Sequence, residues 1–165
     1  MAQTDYRSTE LAVVDLYAVA DTVPQFALGT IVQAKSATYG SAEFIYLKGL
    51  AATAEGSWVT YDEVFQTALL AANATGGVAI ATGAVLAAYY GWYQILGKAA
   101  GLVAASFADN GLCYATATAG TADDAAVAGD RVKGAIGRSA IDTPTTGMAW
   151  IQFYARPFMD DGAAV

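Results

Sequence analysis

The sequence predicts a mainly β protein: a small antiparallel β-barrel or sandwich with at most one or two short helices and an N-terminal arm. Three observations carry that expectation. Short runs of β-branched and aromatic residues recur along the chain, bounded by Gly, Asn or Asp turn signals. Near the C-terminus Ala149, Ile151, Phe153 and Ala155 are apolar at alternate positions, the period of a half-buried strand. Helix-favouring stretches are few and short. A chain of 165 residues is long enough to bury a core without staples. Its expected organisation is an arm over 1–28, a β-rich domain over 29–158 and a tail over 159–165.

In chain order, the apolar run Leu11 to Ala20 admits a short helix or an extended arm. Pro24 disfavours helix at Val23, so any helix ends before it. The arm lies on a partner or forms an edge strand of its own domain. From Thr30 to Lys35 the run is β-branched, and Glu43 to Lys48 follows as a strand after the Tyr39-Gly40-Ser41 turn. Ser57 to Asp62 is a further strand. Val64 to Ala72 admits a short helix, from its Ala and Leu content, or a continued strand. Gly77 to Thr82 reads as a strand, and Gly83 to Tyr89 as a loop or one helical turn. Tyr90 to about Ala99 is a strand, expected to turn at Lys98-Ala99-Ala100 into a second one over Gly101 to Ala105. Asp109-Asn110-Gly111 signals a tight turn, since Asn and Gly tolerate positive φ. Leu112 to Thr118 is a strand, Ala119 to Asp124 a surface loop, and Ala125 to Val127 a short strand. Asp130 to Arg138 leads to a loop over Asp142 to Gly147. The last strand is Met148 to Tyr154, ended by Arg156-Pro157-Phe158.

Composition narrows the function classes. Hydrophobic residues make up 56% and charged residues 14% of the chain, well under the usual share of charge. A surface with so few charges suits cover by other chains. The net charge of −7 repels nucleic-acid phosphate, and no basic stripe offsets it. No charge falls between Glu63 and Lys98, but Asn73, Gly76-Gly77, Gly83 and Gly91 interrupt that run, which argues against a membrane span. The polar start Met1 to Glu10 does not read as a secretory leader.

Catalytic readings fare poorly. The chain has no histidine, so the commonest general base and metal ligand is absent. Cys113 is the lone cysteine, has no CxxC or histidine partner, and reads as a buried structural thiol. The acidic pairs Asp62-Glu63, Asp123-Asp124 and Asp160-Asp161 read as solvated turns; adjacent strand residues point to opposite faces. An enzyme working through carboxylates alone, Asp123 or Asp124 foremost, is the distant alternative. No metal or cofactor motif is present.

The aromatics remain. On a strand Tyr90 and Trp92 share one face, while Gly91 and Tyr93 share the other. A sugar-stacking platform needs polar groups beside the rings, and only Gln94 continues that face. Packing in the core or a subunit interface is the favoured reading, and a carbohydrate-binding adhesion or head-fibre base module the alternative.

Three motifs complete the pattern. Gly77-Val78-Ala79-Ile80-Ala81 leads into Tyr90-Gly91-Trp92-Tyr93-Gln94-Ile95-Leu96-Gly97. Thr116-Ala117-Thr118-Ala119-Gly120-Thr121-Ala122-Asp123-Asp124 follows. Gly134-Ala135-Ile136-Gly137 precedes a terminal strand ending Arg156-Pro157-Phe158. Together, over about Gly29 to Phe158, they resemble the decoration or cement proteins of tailed-bacteriophage capsids. The resemblance implies a β-rich, non-enzymatic virion protein without cofactors. It implies a homotrimer on the outer capsid surface, bound across capsomers of the major capsid protein and made in the bacterial host cytoplasm. It also implies a shell contact by the arm, roughly Ala2 to Pro24. It carries over no individual binding residue. The candidates for subunit or capsid contact are the large apolar side chains Leu11, Val13, Leu16 and Tyr17 of the arm, with Tyr90, Trp92, Tyr93, Trp150 and Phe158.

Overall fold

The computed structural model describes residues 7–8, 15–50 and 52–159. They form eleven strands and, among the described residues, no helix. The strands are β1 Arg7–Ser8, β2 Ile31–Ser36, β3 Gly40–Gly49, β4 Trp58–Tyr61, β5 Gln66–Leu69, β6 Gly77–Ala81, β7 Tyr90–Leu102, β8 Leu112–Ala115, β9 Ala122–Asp123, β10 Arg131–Gly137 and β11 Met148–Met159. The all-β, barrel- or sandwich-like architecture is the one the turn-punctuated sequence predicts.

Two strand circuits share β7. In the first, β3 pairs with β5, β5 with β4, β4 with β6, β6 with β7, and β7 returns to β3. Only the β3–β5 pairing is parallel. In the second, β7 pairs with β11, β11 with β10, β10 with β8 and β8 with β9. A parallel bridge from Val103 to Ala122 brings β9 back to the end of β7.

Strands β4 and β6 form the wall between two cores. Their side chains alternate, so Val59, Ala79 and Ala81 enter the first core with Tyr93, Ile95 and Leu47. Trp58, Val78 and Ile80 enter the second with Ile151, Phe153 and Val132. Trp58 is fully buried, and its Nε1 donates to Leu102 O at 2.9 Å, which satisfies its one polar atom.

Strand β7 crosses from one circuit to the other through a bulge. Phe44 pairs with Gln94 but Glu43 pairs with Leu96, leaving one extra residue on β7. Gly97, at φ +90°, follows. A Cβ there would sit 2.6 Å from Ser41 O, so the close approach requires glycine. The buried Gln94 amide spans the bulge, donating to Leu96 O at 3.0 Å and Lys98 O at 3.1 Å.

Several expectations change. The turn placed at Lys98-Ala99-Ala100 is absent: these residues pair with Gln152, Ile151 and Trp150, so β7 is one strand of 13 residues. Of the two options for Val64 to Ala72 the strand is present, as β5. Phe65 takes φ +62° in a turn where the Asp62 carboxylate accepts from the N–H of Val64 and of Gln66. The stretch Ala119 to Asp124 is not wholly surface, because Ala122 is buried and pairs with Ala115. The short strand is therefore β9 rather than Ala125 to Val127. Strand β11 runs through Pro157 to Met159. Its register against β10 jumps between Lys133 and Ala135, and Pro157 falls in that gap, where its missing N–H breaks no ladder bond. Ala155, expected to face the core, is exposed there.

Candidate assembly surface

Most of the predicted contact residues are packed within the chain. The even side chains of β3 and β7 form an aromatic layer: Phe44, Tyr46, Tyr90 and Trp92. Residues 15–28 lie over it without forming a helix. Leu16 is buried there, Tyr17 is half-buried edge-to-face with Phe44, and Phe26 packs 5.3 Å from both Tyr46 and Trp92. Backbone bonds pin the segment, with Asp21 N donating to Tyr90 O at 2.8 Å and Tyr90 N to Asp21 O at 2.9 Å. The Tyr46 hydroxyl donates to Asp21 Oδ2 at 2.5 Å and accepts from Gln25 N at 3.2 Å. Burial and the bond to Asp21 push the Tyr46 phenol up to about 12. The Thr82 hydroxyl lies 2.7 Å from Leu16 O and 2.8 Å from Trp92 O, close enough to donate to either.

So Trp92 and Leu16 present little surface to a neighbour; the chain's own segment occupies the face of Trp92. Tyr93 offers no surface. It is fully buried in the first core, where burial raises its phenol and the Thr53 and Thr67 hydroxyls oppose the shift. Its packing is within the chain's own core. Tyr90 is half-buried at the rim. Trp150 is buried, with Lys98 Nζ 4.6 Å from its ring centroid and 5.0 Å from that of Tyr39. Phe158 is about half exposed, at 49%. Leu11 and Val13 lie outside the described residues. Arg7–Ser8 pairs with Lys35 and Ala34, adding a strand at the edge of β2.

The reactive-group candidates are held by burial or by backbone hydrogen bonds. Cys113 is buried on β8, and burial, with Asp124 nearby, pushes its thiol up to about 12. Asp124 Oδ2 accepts from Ala108 N at 3.0 Å, and Asp123 Oδ1 from Asp124 N at 2.8 Å. The buried Asp130 carboxylate accepts from Asn73 N at 2.6 Å. Asp160 and Asp161 lie outside the described residues. Among the described residues no three His, Cys, Asp or Glu side chains come together as a metal site.

Two surface features among the described residues bear on binding. A shallow cleft of about 220 Å³ lies beside the roof, with Asp15, Asp21, Gln25, Phe26, Tyr90 and Trp92 on its walls. On the opposite circuit, the outward face of β8, β10 and β11 carries Tyr154, Phe158, Arg131 and Arg138, all exposed. Tyr154, Arg131 and Arg138 are absent from the sequence-based contact candidates. The available signal was the mixed even face of Met148 to Arg156, which a strand pairing with β10 turns into one surface.

No protein-family model, no curated protein and no solved structure matches the chain.

Proposed function

We propose that the chain is a structural virion protein that decorates and stabilises a bacteriophage capsid, as a homotrimer bound across capsomers of the major capsid protein on the outer surface. The observation that carries the structural part is the use of Tyr90 to Gly97. Trp92 is buried under Phe26, Tyr93 fills the first core, and the Gln94 amide is spent on the β7 bulge. The stretch works as a packing spine, and its polar group is not available to a ligand. The capsid part rests on the resemblance of that same stretch, with its flanking motifs, to decoration proteins. Such a protein acts by burying surface across joints, with no catalytic role and no cofactor.

The test mixes the purified chain with expanded phage heads lacking decoration. Co-sedimentation that saturates, together with heads that resist heating better, is the expected result. Heads that neither bind the chain nor gain stability would sink the capsid reading.

The cleft supports a second reading. Phe26 and Tyr90 offer ring surface beside the Asp15 and Asp21 carboxylates and Gln25, the mix of stacking face and polar edge that sugar sites use. Quenching or a shift of tryptophan emission by a glycan, lost in Phe26→Ala, would favour an adhesion module instead.

A further inference from the structure

We infer that the outward face of β8, β10 and β11 is a contact surface for a second copy of this chain, which presents an acidic side to it. The inference rests on the homotrimer of the reading above and assigns that assembly a face.

The outward faces of β2, β3, β7, β11, β10 and β8 follow one another through antiparallel pairing. On β2, β3 and the first part of β7 that side is the aromatic layer, roofed by residues 15–28. Met148 and Trp150, at the start of β11, are covered by Tyr39 and Ala100, but beyond them the outward side of β11, β10 and β8 is open. Tyr154 is 59% exposed, Phe158 49% and Leu112 37%, with Ile136 and Tyr114 half-buried between them. The register aligns them: Ile136 pairs with Gln152 and Leu112, Lys133 with Phe158, and Arg131 with Tyr114. The result is an aromatic and aliphatic surface of one sheet, the composition that interface centres favour.

Its charge is the reverse of the molecule's. Arg131, Lys133, Arg138 and Arg156 are four of the eight Lys and Arg in the chain, against 15 Asp and Glu overall. Arg138 lies over the Tyr154 ring at 5.4 Å and Lys133 over Phe158 at 5.8 Å, so the cations are ordered on the aromatic surface. Arg156 is held by Glu43 at 2.8 Å. Two carboxylates border this face and both have partners: Glu43 holds Arg156, and Asp123, in register with Tyr114, accepts from Asp124 N at 2.8 Å, which still leaves the four cations in excess.

The remainder of the chain supplies the complement, an acidic surface present at equal concentration. A two-fold contact through this face would set Arg131 and Arg138 against themselves, which is repulsive. Meeting a different, acidic patch on the neighbour removes that repulsion. Contacts of that head-to-tail kind close into a ring when the rotation between copies is a whole fraction of a turn, and one third of a turn gives a trimer.

The full-length chain tests this by light scattering and sedimentation, at about 0.05 M and about 0.5 M salt. The wild type is expected to be trimeric and to dissociate more readily at the higher salt. Arg131→Glu/Arg138→Glu is expected to weaken assembly by about tenfold or more at low salt, with near-UV circular dichroism unchanged. Tyr154→Ala, which alters no charge, should weaken assembly at both salts and stands in if the charge-reversed chain misfolds. A monomeric wild type, or trimers kept intact by both variants, overturns the inference. Variants that stay trimeric but no longer bind heads would overturn it too, assigning the face to the shell. A wild-type trimer that ignores heads defeats the capsid reading alone and leaves this test intact.

Discussion

At the residue scale, two glycines separate conformational need from packing need. Gly97 and Gly40 both take positive φ, +90° and +81°. At Gly40 a Cβ would meet nothing within 4 Å, whereas at Gly97 it would strike Ser41 O and Ala42 Cβ. Gly40→Ala therefore pays only the backbone preference, about 1–2 kcal/mol. Gly97→Ala adds a clash with backbone that cannot swing away, and the expected loss is about 3 kcal/mol or more. Urea denaturation of the two variants checks the difference; equal losses would show that the bulge relaxes. Cys113 gives a second residue-scale expectation. Its thiol is buried and its ionisation pushed up to about 12, so at neutral pH almost no thiolate is present. Iodoacetamide should leave the native chain unmodified over hours and label it promptly in denaturant. Rapid native labelling would mean that β8 opens locally.

At the element scale, residues 15–28 behave as part of the domain. Deleting residues 2–24 would strip Leu16, Tyr17 and Asp21 from the aromatic layer and uncover Phe44 and the Tyr46 hydroxyl. Loss of head binding by such a truncation would thus report lost folding as readily as a lost contact. The Tyr46 hydroxyl is a cleaner probe. Tyr46→Phe removes the bonds to Asp21 and Gln25 and keeps the ring contacts with Phe26 and Trp92. The expected cost is about 1–2 kcal/mol, with proteolysis near Val19 and Val23 speeded more than elsewhere. Uniform protection of that segment would show that the Tyr46 hydroxyl does not hold it down. The sequence made the strands legible wherever polarity alternated or glycine marked a turn, as in β2, β6 and the core face of β11. It failed where pairing, not local pattern, decides: Lys98 to Ala100 reads as a turn but is held extended by β11, and Ala122 reads as loop but is buried against β8. For the surface, the face alternation of Tyr90, Trp92 and Tyr93 was legible. That the chain itself roofs Trp92 was not, because the partner side chain, Phe26, lies 66 positions away. The β10–β11 face was hidden for the same reason: Arg138 and Tyr154 are neighbours only once the two strands pair.

At the scale of the whole molecule, the two cores share a wall, so loss of either exposes one side of β4 and β6, and unfolding should be a single cooperative step. That cooperativity turns buried ionisable groups into a global pH response. Burial raises the phenols of Tyr46, Tyr61 and Tyr93 and the thiol of Cys113; for Tyr46 the bond to Asp21 adds to it. These groups bind their protons more tightly folded than unfolded, where they titrate near their ordinary values. Below those ordinary values both states are protonated, and the stabilisation is fully present. As pH rises past them the unfolded chain releases protons that the folded chain retains, so stability falls with pH until the folded values, about 12 for Tyr46 and Cys113, are reached. Without histidine, no side-chain step of this kind falls near neutrality. The midpoint in urea should stay flat from about pH 6 to 8 and decline steeply above about pH 9. Tyrosinate absorbance should show Tyr46, Tyr61 and Tyr93 ionising together as the chain unfolds. In Tyr46→Phe one group leaves this set, and the alkaline decline should be shallower. A variant with the same slope as wild type would show that Tyr46 ionises without opening the roof.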